Sequence, residues 1–162
     1  MTFDDRTFRK AMGFFPTGVT VATTLSGEGH PVGVTISSFS SLSLSPPLVL
    51  FCLALTSSAI DSFKTSGFFA INVLSAEQKD LSNLFACKGD SKWSNVAYES
   101  WETGAPIIPG SLAAFDCRLV DVHDGGDHLI FIGRVERLSH LEDGAALLYY
   151  RGAYGKFEHP KA

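Results

Sequence analysis

The stretch 33–55, GVTISSFSSLSLSPPLVLFCLAL, decides how this chain folds. Its last eight residues, Leu48 to Leu55, are all apolar. A membrane-spanning helix needs roughly 18–20 such residues, so the run reads as a strand covered on both faces. Before it, Ser41, Ser43 and Ser45 alternate with Leu42 and Leu44. That period of two gives a strand one apolar face. Pro46-Pro47, which cannot donate to a ladder, ends the element. Earlier still the alternation fails, at Ser37-Ser38 and again at Ser40-Ser41.

Working upstream, Pro31 to Ile36 and Thr17 to Leu25 flank the turn Ser26-Gly27-Glu28-Gly29 and predict a hairpin, with Val19, Val21 and Thr23 on one face. Residues 3–13 predict a helix that Thr2 can cap and whose first turn Asp5 favours. Phe8, Ala11, Met12 and Phe15 form its apolar face, and Gly13 and Pro16 end it.

Downstream, Ser57 can cap a short helix that stops at Gly67, with Ile60 and Phe63 inward. Phe68 to Leu74 is a strand. Ser75 and Gln78 form a capping box before Leu81, Leu84 and Phe85, and that helix stops near Gly89. Thr103 to Gly110 reads as a surface connection. Ala113 to His123 and His128 to Leu138 are strands around the turn Asp124-Gly125-Gly126-Asp127. A last segment, Ala146 to Tyr150, leads into Arg151-Gly152-Ala153-Tyr154-Gly155.

Strands dominate and are not alternated with long helices, which disfavours a doubly wound parallel sheet. The expectation is a mainly β protein, a small antiparallel barrel with short peripheral α-helices, formed as a single domain over residues 1–162. With 45% hydrophobic residues and a net charge of -4 the chain is not disordered. A pI of about 5.7 offers no basic field for nucleic acid. No apolar run suits a membrane, and the acidic start Met1-Thr2-Phe3-Asp4-Asp5 is unlike a secretory signal, so a soluble cytoplasmic protein is expected. Three cysteines without CxxC spacing support neither a disulfide scaffold nor a cysteine zinc site. Cys52 and Cys117 read as small buried thiols, and Cys87 has no assigned role.

The hydroxyls between Thr35 and Ser41 can surround an anion or a polar ring, whereas Ser43 and Ser45 read as solvated serines. No P-loop or GxGxxG motif is present. Pro16-Thr17-Gly18 reads as a helix-to-strand turn, or as backbone open to a planar ligand. His123, Asp124, Asp127 and His128 could be read as a metal site, but acidic turn residues are ordinarily solvated. A single functional histidine, His128, is the better reading, and no metal is expected. Tyr149-Tyr150-Arg151-Gly152-Ala153-Tyr154-Gly155 reads as C-terminal packing with a surface arginine, or as a wall on which rings stack with Arg151 near a phosphate, and Lys88, Lys92 and Trp93 invite the same two readings. There is no GxSxG, so acyl transfer is unsupported.

In order, FFPTGVTVAT at 14–23, GVTISSFSSLSLSPPLVLFCL at 33–53, FFAINVLS at 68–75, DLSNLFA at 80–86, GGDHLIFIGRV at 125–135 and LLYYRGAYG at 147–155 resemble the flavin reductase-like family. These are the small reductase components of two-component flavin-dependent monooxygenases. The resemblance implies a split β-barrel, Greek-key-like, that binds FMN or FAD as a homodimer. The implied reaction passes a hydride from NADH or NADPH to flavin, with reduced flavin handed to a partner oxygenase. Matched residue by residue, it implies flavin contacts from Thr17, Gly18, Thr35, Ile36, Ser37, Ser38, Ser41, Ser57 and Phe85. His128, in the GDH motif, would be the catalytic residue on the nicotinamide side, with Arg151 and Tyr154 beside it. Ser45 stands where many members have aspartate, Ile36-Ser37 where alanine-asparagine pairs are frequent, and Ala153 where a base is common, so the choice of flavin and of nicotinamide stays open. A flavin carrier or sensor without NAD(P)H oxidation is the alternative, and a metal barrel around His123 and His128 a further one. Hydride transfer between two cofactor rings needs alignment more than acid–base machinery, which agrees with the missing triad.

Overall fold

The computed structural model describes residues 2–89 and 91–157. In chain order the elements are α1 (Asp5–Met12), β1 (Thr17–Gly18), β2 (Thr20–Leu25), β3 (Pro31–Ile36), β4 (Ser40–Leu44), β5 (Pro47–Ala54), α2 (Ile60–Thr65), β6 (Phe68–Val73), α3 (Lys79–Ala86), β7 (Glu99–Ser100), β8 (Pro106–Ile107), β9 (Ala113–Gly125), β10 (His128–His140), β11 (Ala146–Tyr150) and β12 (Ala153–Phe157). Seven strands form one antiparallel sheet in the order β3-β2-β6-β9-β10-β5-β4, while β1-β11-β12 and β7-β8 make two small sheets. The expected mainly β, antiparallel architecture with short helices is what the chain adopts.

The large sheet curls until its β3 edge approaches β5. The two strands are not neighbours in the ladder. Instead Ser38, just past β3, spans the gap: its Oγ donates to the Cys52 carbonyl and accepts the Cys52 N–H, both at 2.9 Å. Inside the curl sit four phenylalanines. The Phe51 ring stacks on Phe131 at 5.0 Å and meets Phe69 and Phe63 edge-on at 5.0 and 5.4 Å. Offset and edge-to-face pairs of this kind contribute beyond their buried area. Gly133 is required here, because a Cβ on it would lie 2.3 Å from Phe69 Cζ.

Two tight turns fix hairpin registers. His128 pairs with Gly125, so Asp124-Gly125 continue β9 and the turn is only Gly126-Asp127, with φ of 79° at Gly126. Between β11 and β12, Arg151 (φ 51°) and Gly152 (φ 83°) take the two positive-φ positions of a type I′ turn. The Arg151 N–H donates to the Gly13 carbonyl at 3.0 Å, latching the end of α1 to this hairpin.

Several local expectations are corrected. Asp4, not Thr2, caps α1: Asp4 Oδ1 accepts the Thr7 N–H at 2.7 Å. That bond holds the Asp4 carboxyl below its ordinary pKa. The apolar face of α1 is uncovered, with Phe8 and Met12 about half exposed (53% and 55%). α2 has no side-chain cap at its first residue; Ser57 caps the turn before it, its Oγ accepting the Ala59 N–H at 3.3 Å and its carbonyl the Ile60 N–H. The capping box at Ser75 and Gln78 does form, on a short 3₁₀ turn that runs into α3, and α3 ends before Gly89. β5 is not covered on both faces: Val49, Phe51 and Leu53 are buried, while Leu48, Leu50, Cys52 and Ala54 are half-buried. Cys52 is therefore not a core thiol, whereas Cys117 is, and burial pushes its thiol well up.

The segment 103–110 is not a surface connection. Ala105, Ile107 and Ile108 are buried. Hydrogen bonds to buried polar groups of the large sheet draw it in: Thr103 N–H and Oγ1 both reach Asp116, Ile108 N–H donates to Asn72 Oδ1 at 2.7 Å, and Thr23 Oγ1 donates to the Pro106 carbonyl at 2.6 Å. Such groups are costly to bury unpaired, so the backbone of 103–108 is held as their partner.

Candidate functional site

Two adjoining cavities open where β3 curls towards β5. The smaller, about 380 Å³, is lined by Thr35, Ile36, Ser37, Ser38, Cys52 and His128, among others. The larger, about 670 Å³, is bounded by Thr56, Ser57, Ser58, Phe85, Lys88 and Trp93. Val34, Ala54 and Ser57 line both, so the two form one continuous cleft.

The small cavity gathers most of the hydroxyl-rich segment. β3 ends at Ile36, and the change of direction before β4 leaves Ser37 exposed towards the opening. Thr35 Oγ1 donates to the Ser82 carbonyl at 2.7 Å, which orients its lone pairs as acceptors. Ser38 is already committed to Cys52. Ile36 belongs to the core cluster, leaving chiefly its main chain for a ligand. Across the cleft, His128 opens β10 opposite Ala54. His128 Nδ1 lies 2.6 Å from Asp127 Oδ1. The histidine beside it holds the Asp127 carboxyl below its ordinary pKa. The carboxylate therefore stays ionised until pH falls through that lowered value, and it orients the ring through Nδ1, leaving Nε2 as the ring nitrogen not engaged by Asp127. His123 turns to a different carboxylate, Asp121, at 3.3 Å. Among the described residues no three His, Cys, Asp or Glu side chains converge as metal ligands.

The large cavity gathers hydroxyls and cations, with one carboxylate, Glu28, on its lining. Thr56, Ser57 and Ser58 follow β5 directly, and Lys88 faces them from beyond α3. Trp93 Nε1 is buried with no hydrogen-bond partner among the described residues. Phe85 forms a wall with Trp93, their ring centroids 4.8 Å apart. The wall presses on Gly33, where a Cβ would come within 2.6 Å of Phe85 Cε1. Lys92 Nζ donates to the Phe85 carbonyl at 3.2 Å and ties the following loop to this wall.

The other expected site residues lie elsewhere. Thr17 and Gly18 form β1 and pair with Tyr149 and Leu148 of the small sheet, not with either cavity. Ser41 is exposed on β4. Arg151 and Tyr154 belong to the β11–β12 hairpin, the Arg151 guanidinium 4.6 Å over the Phe14 ring. Tyr154 is joined to the cleft only indirectly: its Oη lies 2.8 Å from Ser82 Oγ. Thr56, Ser58 and Ser82 were not legible as site residues. A hydroxyl triplet directly after the longest apolar strand was the available signal for the first two, whereas Ser82 looks like any polar residue on a helix.

The family model described as "Flavin reductase like domain" matches residues 12–158. The reductase subunit HsaB of a flavin-dependent monooxygenase from Rhodococcus jostii is 44% identical over 158 residues, 98% of this chain and 80% of that protein. The "FMN reductase (NADH) SmoA" of Agrobacterium fabrum is 46% identical over 154 residues, 95% of this chain and 87% of that one. Among solved structures, the NADH:FAD oxidoreductase SgcE6 of Streptomyces globisporus, in complex with NAD and FAD fragments, superposes with a TM-score of 0.90 at 36% identity, covering 98% of this chain and 95% of that chain.

Proposed function

This chain belongs to the flavin reductase-like domain family, and from that membership we propose a role for each part of the cleft. The protein is an NADH-dependent flavin reductase of the kind that supplies reduced flavin to a monooxygenase component. FMN or FAD, when bound, supplies the ring that accepts a hydride from the nicotinamide. Residues 1–162 serve as one domain for this reaction.

The observation that carries the assignment of the cleft is its division into two parts of different chemistry. The small cavity, with Thr35, Ser37, the main chain of Ile36 and Ser38, and His128 at its mouth, fits a polar ring. The large one, with Thr56, Ser57, Ser58, Lys88 and the orphaned Trp93 N–H, fits a phosphate-bearing tail. Hydroxyl and amide donors at the edge of a ring that gains electrons stabilise the charge it acquires. His128, oriented by Asp127, serves the nicotinamide side, with Arg151 and Tyr154 contributing from the hairpin. Thr17, Gly18 and Ser41 reach the cleft only if a second copy of the chain or a shift of the small sheet brings them there. A homodimer is favoured by β5, whose outward row Leu48, Leu50 and Cys52 is half-buried, and by Leu44, 95% exposed beside it. The cytoplasm is the compartment that holds NADH for such an enzyme; among the described residues no helix is long and apolar enough to cross a membrane.

The purified protein is expected to oxidise NADH when FMN or FAD is added and at a negligible rate otherwise, with NADPH a poorer donor. Yellow protein that oxidises NADH no faster than free flavin would mean a carrier or sensor instead. A His128→Ala variant should raise the KM for NADH about tenfold, the equivalent of one lost hydrogen bond near 1.4 kcal/mol, with flavin affinity retained. Equal loss of flavin affinity, or unaltered kinetics, would remove His128 from that role.

A further inference from the structure

We propose that Ser82 is a positioning residue that sets the β11–β12 hairpin against the flavin-side wall; the proposal rests on the reading of Tyr154 as a nicotinamide-side residue. Ser82 is completely buried in α3. It makes two hydrogen bonds in opposite directions. Its Oγ pairs with Tyr154 Oη at 2.8 Å, and its carbonyl accepts the Thr35 hydroxyl at 2.7 Å. One buried residue thus joins a hydroxyl of the hairpin to a hydroxyl of the small cavity.

The rest of α3 makes this link stiff. One turn before Ser82, Lys79 Nζ lies 5.7 Å from the Tyr154 ring centroid, so the helix holds that ring at two points. One turn after it, Phe85 is packed on Gly33 with no room for a Cβ between them. Tyr154 is in turn held edge-on by Tyr149 at 5.4 Å. α3 is therefore clamped to β3 through Gly33 and Thr35 and to the hairpin through Tyr154. Of the two bonds only the one from Thr35 reaches a residue lining the cleft. Their effect is on the separation of its two sides, and a reaction between two stacked rings is sensitive to displacements of well under an ångström.

Ser82→Ala removes only the Tyr154 bond, because the backbone carbonyl that receives Thr35 remains. Tyr154→Phe removes the same bond from the other end. Each variant is expected to lower kcat/KM for NADH about fivefold, as expected for one hydrogen bond of about 1 kcal/mol, with the flavin Kd within about twofold of the parent by fluorescence titration. The double variant should be no worse than the poorer single, since both changes delete one interaction. In flavin-free protein, amide exchange across 146–157 should quicken in each single variant. If Ser82→Ala does not fold, Tyr154→Phe and its exchange profile carry the test. Loss of NADH kinetics in Tyr154→Phe but not in Ser82→Ala, or effects that multiply, would overturn the coupling while leaving Tyr154 on the nicotinamide side. Faster exchange in both variants with unaltered NADH kinetics would instead overturn the nicotinamide reading of Tyr154 and the proposal with it.

Discussion

A chain carrying Thr35→Ala and Ser37→Ala together should fold and bind flavin about 30- to 150-fold more weakly, measured by quenching of flavin fluorescence on titration with protein. Two hydroxyls that each contribute about 1–1.5 kcal/mol to a polar ring account for that range. Folding should survive because neither residue is in the core: Thr35 is half-buried and Ser37 exposed. The Thr35 change also deletes its bond to the Ser82 carbonyl, so its share of the loss should be the larger. Ser38 makes the informative contrast. Its hydroxyl bridges both main-chain groups of Cys52, and Ser38→Ala would leave a part-buried amide and carbonyl without that partner where the curled sheet meets itself. Ser38→Ala is thus a stability variant, and Ser37→Ala a binding one, although the two serines are adjacent. Flavin affinity unchanged in the folded double variant would remove this segment from the flavin site.

That contrast also shows what could be read from the residues. Period-two alternation in Ser41–Ser45 and the apolar run after Pro47 located β4 and β5, but β4 bulges between Ser41 and Ser43 and leaves Leu42 and Leu44 exposed with Ser43 half-buried, so the expected apolar face is not covered. The break in alternation at Ser37-Ser38 falls where the chain leaves β3 and lines the small cavity, whereas the similar break at Ser40-Ser41 lies within the β4 ladder. Which of two neighbouring hydroxyls faces the cleft and which faces Cys52 depends on how the sheet curls, and no local pattern encodes that. The segment 103–110 was misjudged on similar grounds. Its Pro and Gly content is that of a loop, whereas Asp116, Asn72 and Thr23, buried on other strands, draw it inward. The half-covered face of β5 marks a third limit, since an unbroken apolar run cannot say whether its second cover comes from the same chain.

Phe51→Ala should destabilise the protein by about 3–5 kcal/mol, the range for deleting a buried phenylalanine. For a chain of this size that is a fall in Tm of roughly 6–20 °C, readable by calorimetry or circular dichroism. Phe51 is fully buried and its ring meets those of Phe63, Phe69 and Phe131. The neighbours are anchored on α2, β6 and β10, three directions that cannot close on the vacancy together, so the cavity term should be near its maximum. Phe8→Ala is the matched control: the same deletion on exposed α1 should cost about 0.5 kcal/mol or less in the free chain. The site lies on the other side of the same strand. Phe51 faces the core, whereas Cys52 and Ala54 line the cleft, Leu53 of the core borders it as well, and Ala54 pairs with His128. The variant that remains folded should therefore still bind flavin, and flavin at about 100 times its Kd should return about 2.7 kcal/mol to the native state, recovering more than half of the loss. A Phe51→Ala protein whose Tm falls by less than about 2 °C would contradict a core centred on this ring. One that folds but gains nothing from flavin would show that the cleft depends on core order through β5, and that the two faces of this strand are not independent.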